Sequence, residues 1–130
     1  MTEQQILQAF KVNIIAFLDE LIDQFPHETN IILARVFLKD QIPIQTTMQQ
    51  FILKLESRDG LLRDMAKERN DKFFLENNIF SMSHDSSVNH FRKIWVSDLD
   101  NEDRETIWRW IDSFIQLAEK YQTVKRRSPP

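Results

Sequence analysis

A single glycine, Gly60, stands in this chain of 130 residues, where average usage would give about nine. Glycine supplies the left-handed backbone positions of tight hairpin turns and lets the backbone approach bound phosphates closely. The chain therefore lacks a glycine-rich nucleotide loop, a dinucleotide-binding fingerprint and a G-x-S-x-G nucleophile elbow. The same scarcity disfavours meandering β-sheets and favours a helical fold.

Composition narrows the function classes further. The absence of cysteine removes thiolate catalysis, cysteine-ligated zinc, iron–sulfur clusters and disulfides. The ten Phe, three Trp and one Tyr can build a single-domain core without a structural metal. A net charge of −3 provides no overall field for nucleic acid or an anionic membrane. With neither a signal peptide at the N-terminus nor a long apolar run, we expect a soluble, non-secreted protein without a membrane span.

Apolar residues recur at spacings of three and four along most of the chain, which predicts amphipathic helices. The first helix has Thr2 as its N-cap and ends before Pro26, and Gly60 suits the left-handed end of the third. The predicted helices cover residues 3–25, 27–40, 45–57, 61–77, 88–95 and 101–124. The resulting fold class is all-α, a compact bundle of five to six helices in a single domain. Residues 1–124 form this bundle, and residues 125–130 form a basic tail that ends in proline.

One stretch is ambiguous between helix and strand. Residues 31–38 are apolar on nearly every side and β-branched in places, which is also typical of a buried strand. Because no second strand-like run stands nearby, we favour a short buried helix that is capped by Thr29 or Asn30. A polar, serine-rich segment at residues 77–89 is the one extended loop.

Three groups of residues invite a chemical interpretation, and we adopt none of them. Ser83, His84 and Asp85 are adjacent in sequence, whereas the members of a catalytic triad converge from separate parts of a fold. His84 and His90 are six residues apart, which does not place two imidazoles on one helix face for zinc. The acids at residues 19–23 occupy the polar face of a helix rather than a cleft. We therefore predict no catalytic residue, no cofactor, no metal and no small-molecule substrate.

The last helix carries a wide apolar arc with tryptophans at its two edges. Trp108 and Ile115 widen the arc on one side, and Trp110 and Leu117 widen it on the other. Either both tryptophans fill the flanks of the core, or the edge formed by Trp108 and Ile115 meets a partner, since Trp is enriched at interface hot spots. We assign Trp108 and Ile115 as candidate partner-binding residues, with the polar segment at 77–89 as a second working surface.

The basic tail offers an alternative. Lys125, Arg126 and Arg127 form the one local excess of positive charge and are further candidate partner-binding residues. Together with Arg104 and Arg109 they could contact nucleic acid, but three charges at a chain end provide only a weak, salt-sensitive attraction.

Two parts of the chain resemble a known family. The first consists of IAFLDELIDQFP at residues 15–26 followed by RVFLKDQIP at 35–43. The second consists of IW at 94–95 followed by LDNEDRE at 99–105 and TIWRWI at 106–111. Together they are similar to small helical proteins of nucleocytoplasmic large DNA viruses. The resemblance implies a viral protein in host cytoplasm, in a viral factory or in the virion, and it brings no catalytic residue.

From these observations we expect a non-enzymatic viral protein that acts as a protein–protein interaction or assembly module, either by self-association or with another protein. The alternative is a nucleic-acid-associated regulatory protein that uses the basic tail.

Overall fold

The computed structural model describes residues 1–76 and 99–127, and the regular elements in these two ranges are helical. In chain order they are α1 (Glu3–Gln24), α2 (Thr29–Val36), a π-helical turn (Phe37–Gln41), α3 (Ile44–Glu68), α4 (Asp71–Glu76) and α5 (Asn101–Arg127). They pack around one hydrophobic core, which confirms the predicted all-α bundle. The predicted polar loop at 77–89 and the predicted helix at 88–95 lie outside the described residues, as do residues 128–130.

Helix α1 begins with the predicted cap. The Thr2 hydroxyl accepts a hydrogen bond from the Gln5 backbone N–H at 3.1 Å, and the Gln5 side-chain oxygen accepts one from the Thr2 backbone N–H at 2.9 Å. This capping box satisfies two amide groups at the helix start. The helix then buries one apolar face, made of Ile6, Phe10, Ile14, Phe17, Leu18 and Leu21.

The ambiguous stretch at residues 31–38 is helical, as α2 and the start of the π-helical turn. Two details of the prediction are wrong. The N-cap is Glu28, and no side-chain hydrogen bond caps this helix start. The helix is also not buried on all sides, because it packs on α1 with one face, which includes Ile31, and leaves the opposite face exposed. An apolar sequence predicts burial only if neighbours are available on both sides.

Helix α3 folds back on itself at residues 57–60. Arg58, Asp59 and Gly60 have φ angles of 52°, 57° and 77°, all in the left-handed region, as predicted for Gly60. The two halves of α3 consequently run along α5 in opposite directions. Their contacts with α5 are Phe51–Phe114 and Glu56–Gln122 before the reversal, and Arg63–Glu119 and Arg69–Asp112 after it.

The predicted helix at 61–77 is divided in two at Arg69. Arg69 adopts the left-handed conformation, with φ 54° and ψ 49°, and ends α3. Its backbone N–H bonds to the Ala66 carbonyl at 3.1 Å, and the N–H of Asn70 bonds to the Met65 carbonyl at 3.0 Å. The Asn70 side-chain oxygen then accepts from the Phe73 backbone N–H at 3.0 Å, as an N-cap does. This helix stop followed by a new N-cap separates α4 from α3. The charged residues around Arg69 and Asn70 show no break in sequence that would predict the separation.

Helix α5 packs against both α1 and α3. Phe114 lies at the centre of an aromatic cluster, with ring centroids 5.7 to 6.4 Å from those of Phe10, Phe17, Phe51 and Trp110. The helix continues to Arg127 rather than ending at Val124. The basic residues 125–127 therefore belong to its last turn and not to an irregular tail. Within the described ranges, no helix has the length and apolar character to cross a membrane.

Candidate functional site

Trp108 and Ile115, the predicted partner-binding edge of the last helix, lie in the core. The Trp108 side chain is 1% exposed, and its indole N–H donates to Asp71 of α4 at 2.9 Å. Ile115 is also buried. Because both side chains are buried, this edge offers no surface to a partner in this fold. The alternative interpretation, in which the tryptophans fill the flanks of the core, describes what the structure shows.

The five basic residues proposed for nucleic-acid contact are not brought together. Lys125, Arg126 and Arg127 are exposed on the last turn of α5. Arg104 donates to the Leu99 carbonyl at 3.0 Å, and Arg109 pairs with Glu105 of the same helix. Because a helix rises about 1.5 Å per residue, Arg109 and Arg126 are roughly 25 Å apart along α5. The basic groups therefore form two separate sites at opposite ends of this helix.

The acidic residues of α1 are used structurally. Asp19 accepts a hydrogen bond from Arg35 of α2 at 2.5 Å, and Glu20 accepts one from the Trp110 indole N–H at 2.8 Å. Both carboxylates are exposed, as predicted for the polar face of this helix. Across residues 1–76 and 99–127, no group of three or more His, Asp or Glu side chains is arranged to hold a metal ion. His84, Asp85 and His90 lie outside these ranges.

The most highly connected polar group in the described part of the chain is the guanidinium of Arg69. It donates to both oxygens of Glu105, at 3.0 and 3.1 Å, and to both oxygens of Asp112, at 2.9 and 3.1 Å. It also donates to the Ala66 carbonyl at 3.0 Å and lies over the ring of Trp108. The hydrogen bond to Asp112 raises the pKa of Arg69 above its ordinary value. This arrangement ties the α3–α4 junction to α5, and it leaves no open position for a substrate.

The exposed apolar residues of α2 and the segment after it form the strongest candidate for a binding surface. Exposure of these side chains ranges from 37% to 51%, values far above those of the core. We call this set the α2 stripe, and it consists of Ile32, Leu33, Val36, Phe37 and Ile42. At 100° per residue, positions 32, 33, 36 and 37 cover an arc of about 140° on one side of the helix. The arc lies opposite Ile31, so the helix has two apolar faces and only one of them contacts α1.

Sequence reasoning missed the α2 stripe although its signal was present. Residues 31–38 are apolar on nearly every side, a pattern that predicts a buried helix. The same pattern is typical of a helix that has one face for its own core and another for a partner. Arg35, which bonds to Asp19 across the α1–α2 junction, marks the boundary between these two faces.

Comparisons with known proteins do not place the chain in a family. It matches no protein-family model, no curated protein and no solved structure. The class that the fold itself defines is an all-α helical bundle with an exposed apolar helix face.

Proposed function

We propose that the protein is a non-enzymatic protein–protein interaction or assembly module and that the α2 stripe is its docking surface. The observation that carries this proposal is the exposure of Ile32, Leu33, Val36 and Phe37 on one side of the helix, with Ile42 exposed just after the π-helical turn. Together these side chains present on the order of 400 Å² of apolar surface, an area within the range of functional patches on soluble proteins. Scattered single apolar residues, such as Val12 on α1, carry no such implication.

We place this module in a viral setting, as a component of the virion or of the viral factory in host cytoplasm. Support for this setting comes from the resemblance of residues 15–26, 35–43, 94–95 and 99–111 to the viral family. The nucleic-acid alternative has less support, because the basic residues are divided between the two ends of α5. We therefore put forward one function.

A matched pair of leucine substitutions tests the docking surface. Leu33→Asp places a charge in the α2 stripe, and Leu53→Asp places the same charge on α3, at a leucine that is 66% exposed. Wild type and both variants are used as bait in lysates of infected cells, and the bound proteins are quantified by mass spectrometry. We expect a partner that wild type and Leu53→Asp retain equally and that Leu33→Asp loses by at least about tenfold.

Two results would contradict this proposal. One is an identical set of bound proteins for all three baits together with no stripe-dependent self-association. The other is loss of binding in Leu53→Asp to the same degree as in Leu33→Asp. Circular dichroism on each variant shows whether it keeps its helix content, since both substitutions are at exposed positions.

A further inference from the structure

We infer that the α2 stripe binds a second copy of this chain, with the two α2 helices packed antiparallel about a two-fold axis. This inference rests on the proposed function and names its partner. In such an interface the same surface serves both copies, so the stripe must be complementary to itself. Three properties of the stripe and its flanks meet this requirement: its shape, its charges and its area.

The shape is symmetric about the middle of the helix. The large side chains occupy positions 32, 33, 36 and 37, whose centre falls between Leu33 and Val36. An axis through this centre places Val36 of each copy at the level of Leu33 of the other, and Ile32 at the level of Phe37. Four aliphatic side chains, Leu33 and Val36 of both copies, then cluster around the axis, while the phenylalanine rings lie on either side of it.

The charges favour the antiparallel orientation. Glu28 is the N-cap of α2, and Lys39 lies in the π-helical turn near its end. Antiparallel packing brings Glu28 of each copy near Lys39 of the other, and the symmetry forms this contact twice. Parallel packing would instead set Lys39 against Lys39 and Glu28 against Glu28.

The area suits a reversible dimer. Interfaces of this kind are roughly 60% apolar, so an apolar patch of about 400 Å² implies about 700 Å² per copy. The total of about 1,400 Å² lies toward the low end of specific interfaces. We therefore expect a monomer–dimer equilibrium with a Kd on the order of 10 μM.

Sedimentation equilibrium on the full chain tests self-association. Wild type and Leu53→Asp are expected to show the same concentration-dependent dimer, and Leu33→Asp is expected to weaken it at least about tenfold. Wild type that remains monomeric up to about 1 mM would overturn the inference. If that monomer still retains a partner through Leu33 in the capture experiment, the proposed function stands and only the second copy is excluded. If another segment of the same chain covers the stripe, the protein is monomeric and Leu33→Asp lowers its melting temperature much more than Leu53→Asp does.

The absence of natural cysteine allows a direct test of the axis. Val36→Cys places one thiol beside the axis, so mild oxidation is expected to link two copies through Cβ atoms close enough for a disulfide. Val12→Cys, at an exposed position of α1, is the matched control and should remain largely unlinked. Equal cross-linking of the two variants would contradict the proposed geometry.

Charge exchange tests the orientation separately. Lys39→Glu alone should weaken the dimer because it places two acidic side chains together at each end. Adding Glu28→Lys in the same chain restores opposite charges and should recover most of the lost affinity. A double variant that is no tighter than Lys39→Glu would exclude the antiparallel arrangement.

Discussion

Replacement of Arg69 by alanine separates the contribution of its side chain from that of its unusual backbone. The residue has φ 54°, a conformation that costs an L-amino acid roughly 1–2 kcal/mol relative to the right-handed region. Alanine retains this backbone cost and removes the guanidinium. Glycine removes the guanidinium and also the cost of the left-handed backbone. The difference between the two variants therefore isolates the backbone term.

The loss expected for Arg69→Ala follows from the contacts of the guanidinium. Its pairs with Glu105 and Asp112 are bidentate but partly exposed, with Arg69 at 31%, so each contributes about 0.5–1 kcal/mol. The hydrogen bond to the Ala66 carbonyl contributes about 1 kcal/mol. We expect Arg69→Ala to lower the free energy of unfolding by about 2–3 kcal/mol. Arg69→Gly should lower it by about 0.5–1 kcal/mol less, because glycine relieves the backbone but loosens the unfolded chain.

Urea denaturation followed by circular dichroism measures these differences. Arg109→Ala is the matched control, since Arg109 also contacts Glu105, at 3.7 Å, but is 73% exposed. We expect it to cost less than about 0.5 kcal/mol. The reasoning fails if Arg69→Ala stays within that limit too, or if Arg69→Gly is less stable than Arg69→Ala. The second result would mean that the left-handed backbone carries no cost at this position.

Substitutions at Thr2, at Gly60 and at the two tryptophans of α5 address other parts of the fold. Thr2→Ala should destabilise the protein by about 1 kcal/mol through loss of the capping box, and Thr2→Ser should restore most of this in thermal melts. Gly60→Ala should cost about 1 kcal/mol in urea denaturation because its φ of 77° disfavours a Cβ atom. Trp108→Phe should lower the free energy of unfolding by about 2 kcal/mol, because the ring is smaller and the hydrogen bond to Asp71 is lost. Trp110→Phe should lower it less, because the Trp110 indole bonds to an exposed carboxylate. Equal losses of stability in the two variants would contradict the assigned burial.

Local sequence patterns predicted most of the fold because they act through neighbouring residues. Thr2 and Gln5 form their cap within one helical turn, and Gly60 adopts its left-handed conformation at a chain reversal. The helix stop at Arg69 was missed because glycine or asparagine is the usual residue there. In its place, an arginine is held by Glu105 and Asp112, which are 36 and 43 residues away in sequence. The local periodicity of apolar residues cannot predict a contact between residues so far apart in sequence.

Burial was predicted wrongly in two places, once too low and once too high, and both differences have the same physical origin. Trp108, a candidate partner-binding residue at the edge of the apolar arc, is buried, donates to Asp71 of α4 and lies under the guanidinium of Arg69. Residues 31–38 were expected to be buried on all sides, but α2 packs on α1 and leaves its other face open. Periodicity reports how much of a helix is apolar, whereas the number of neighbours decides how much of it is covered. In this chain Trp108 is buried, whereas the five large apolar side chains of the α2 stripe are exposed. We therefore expect a partner to bind at the α2 stripe.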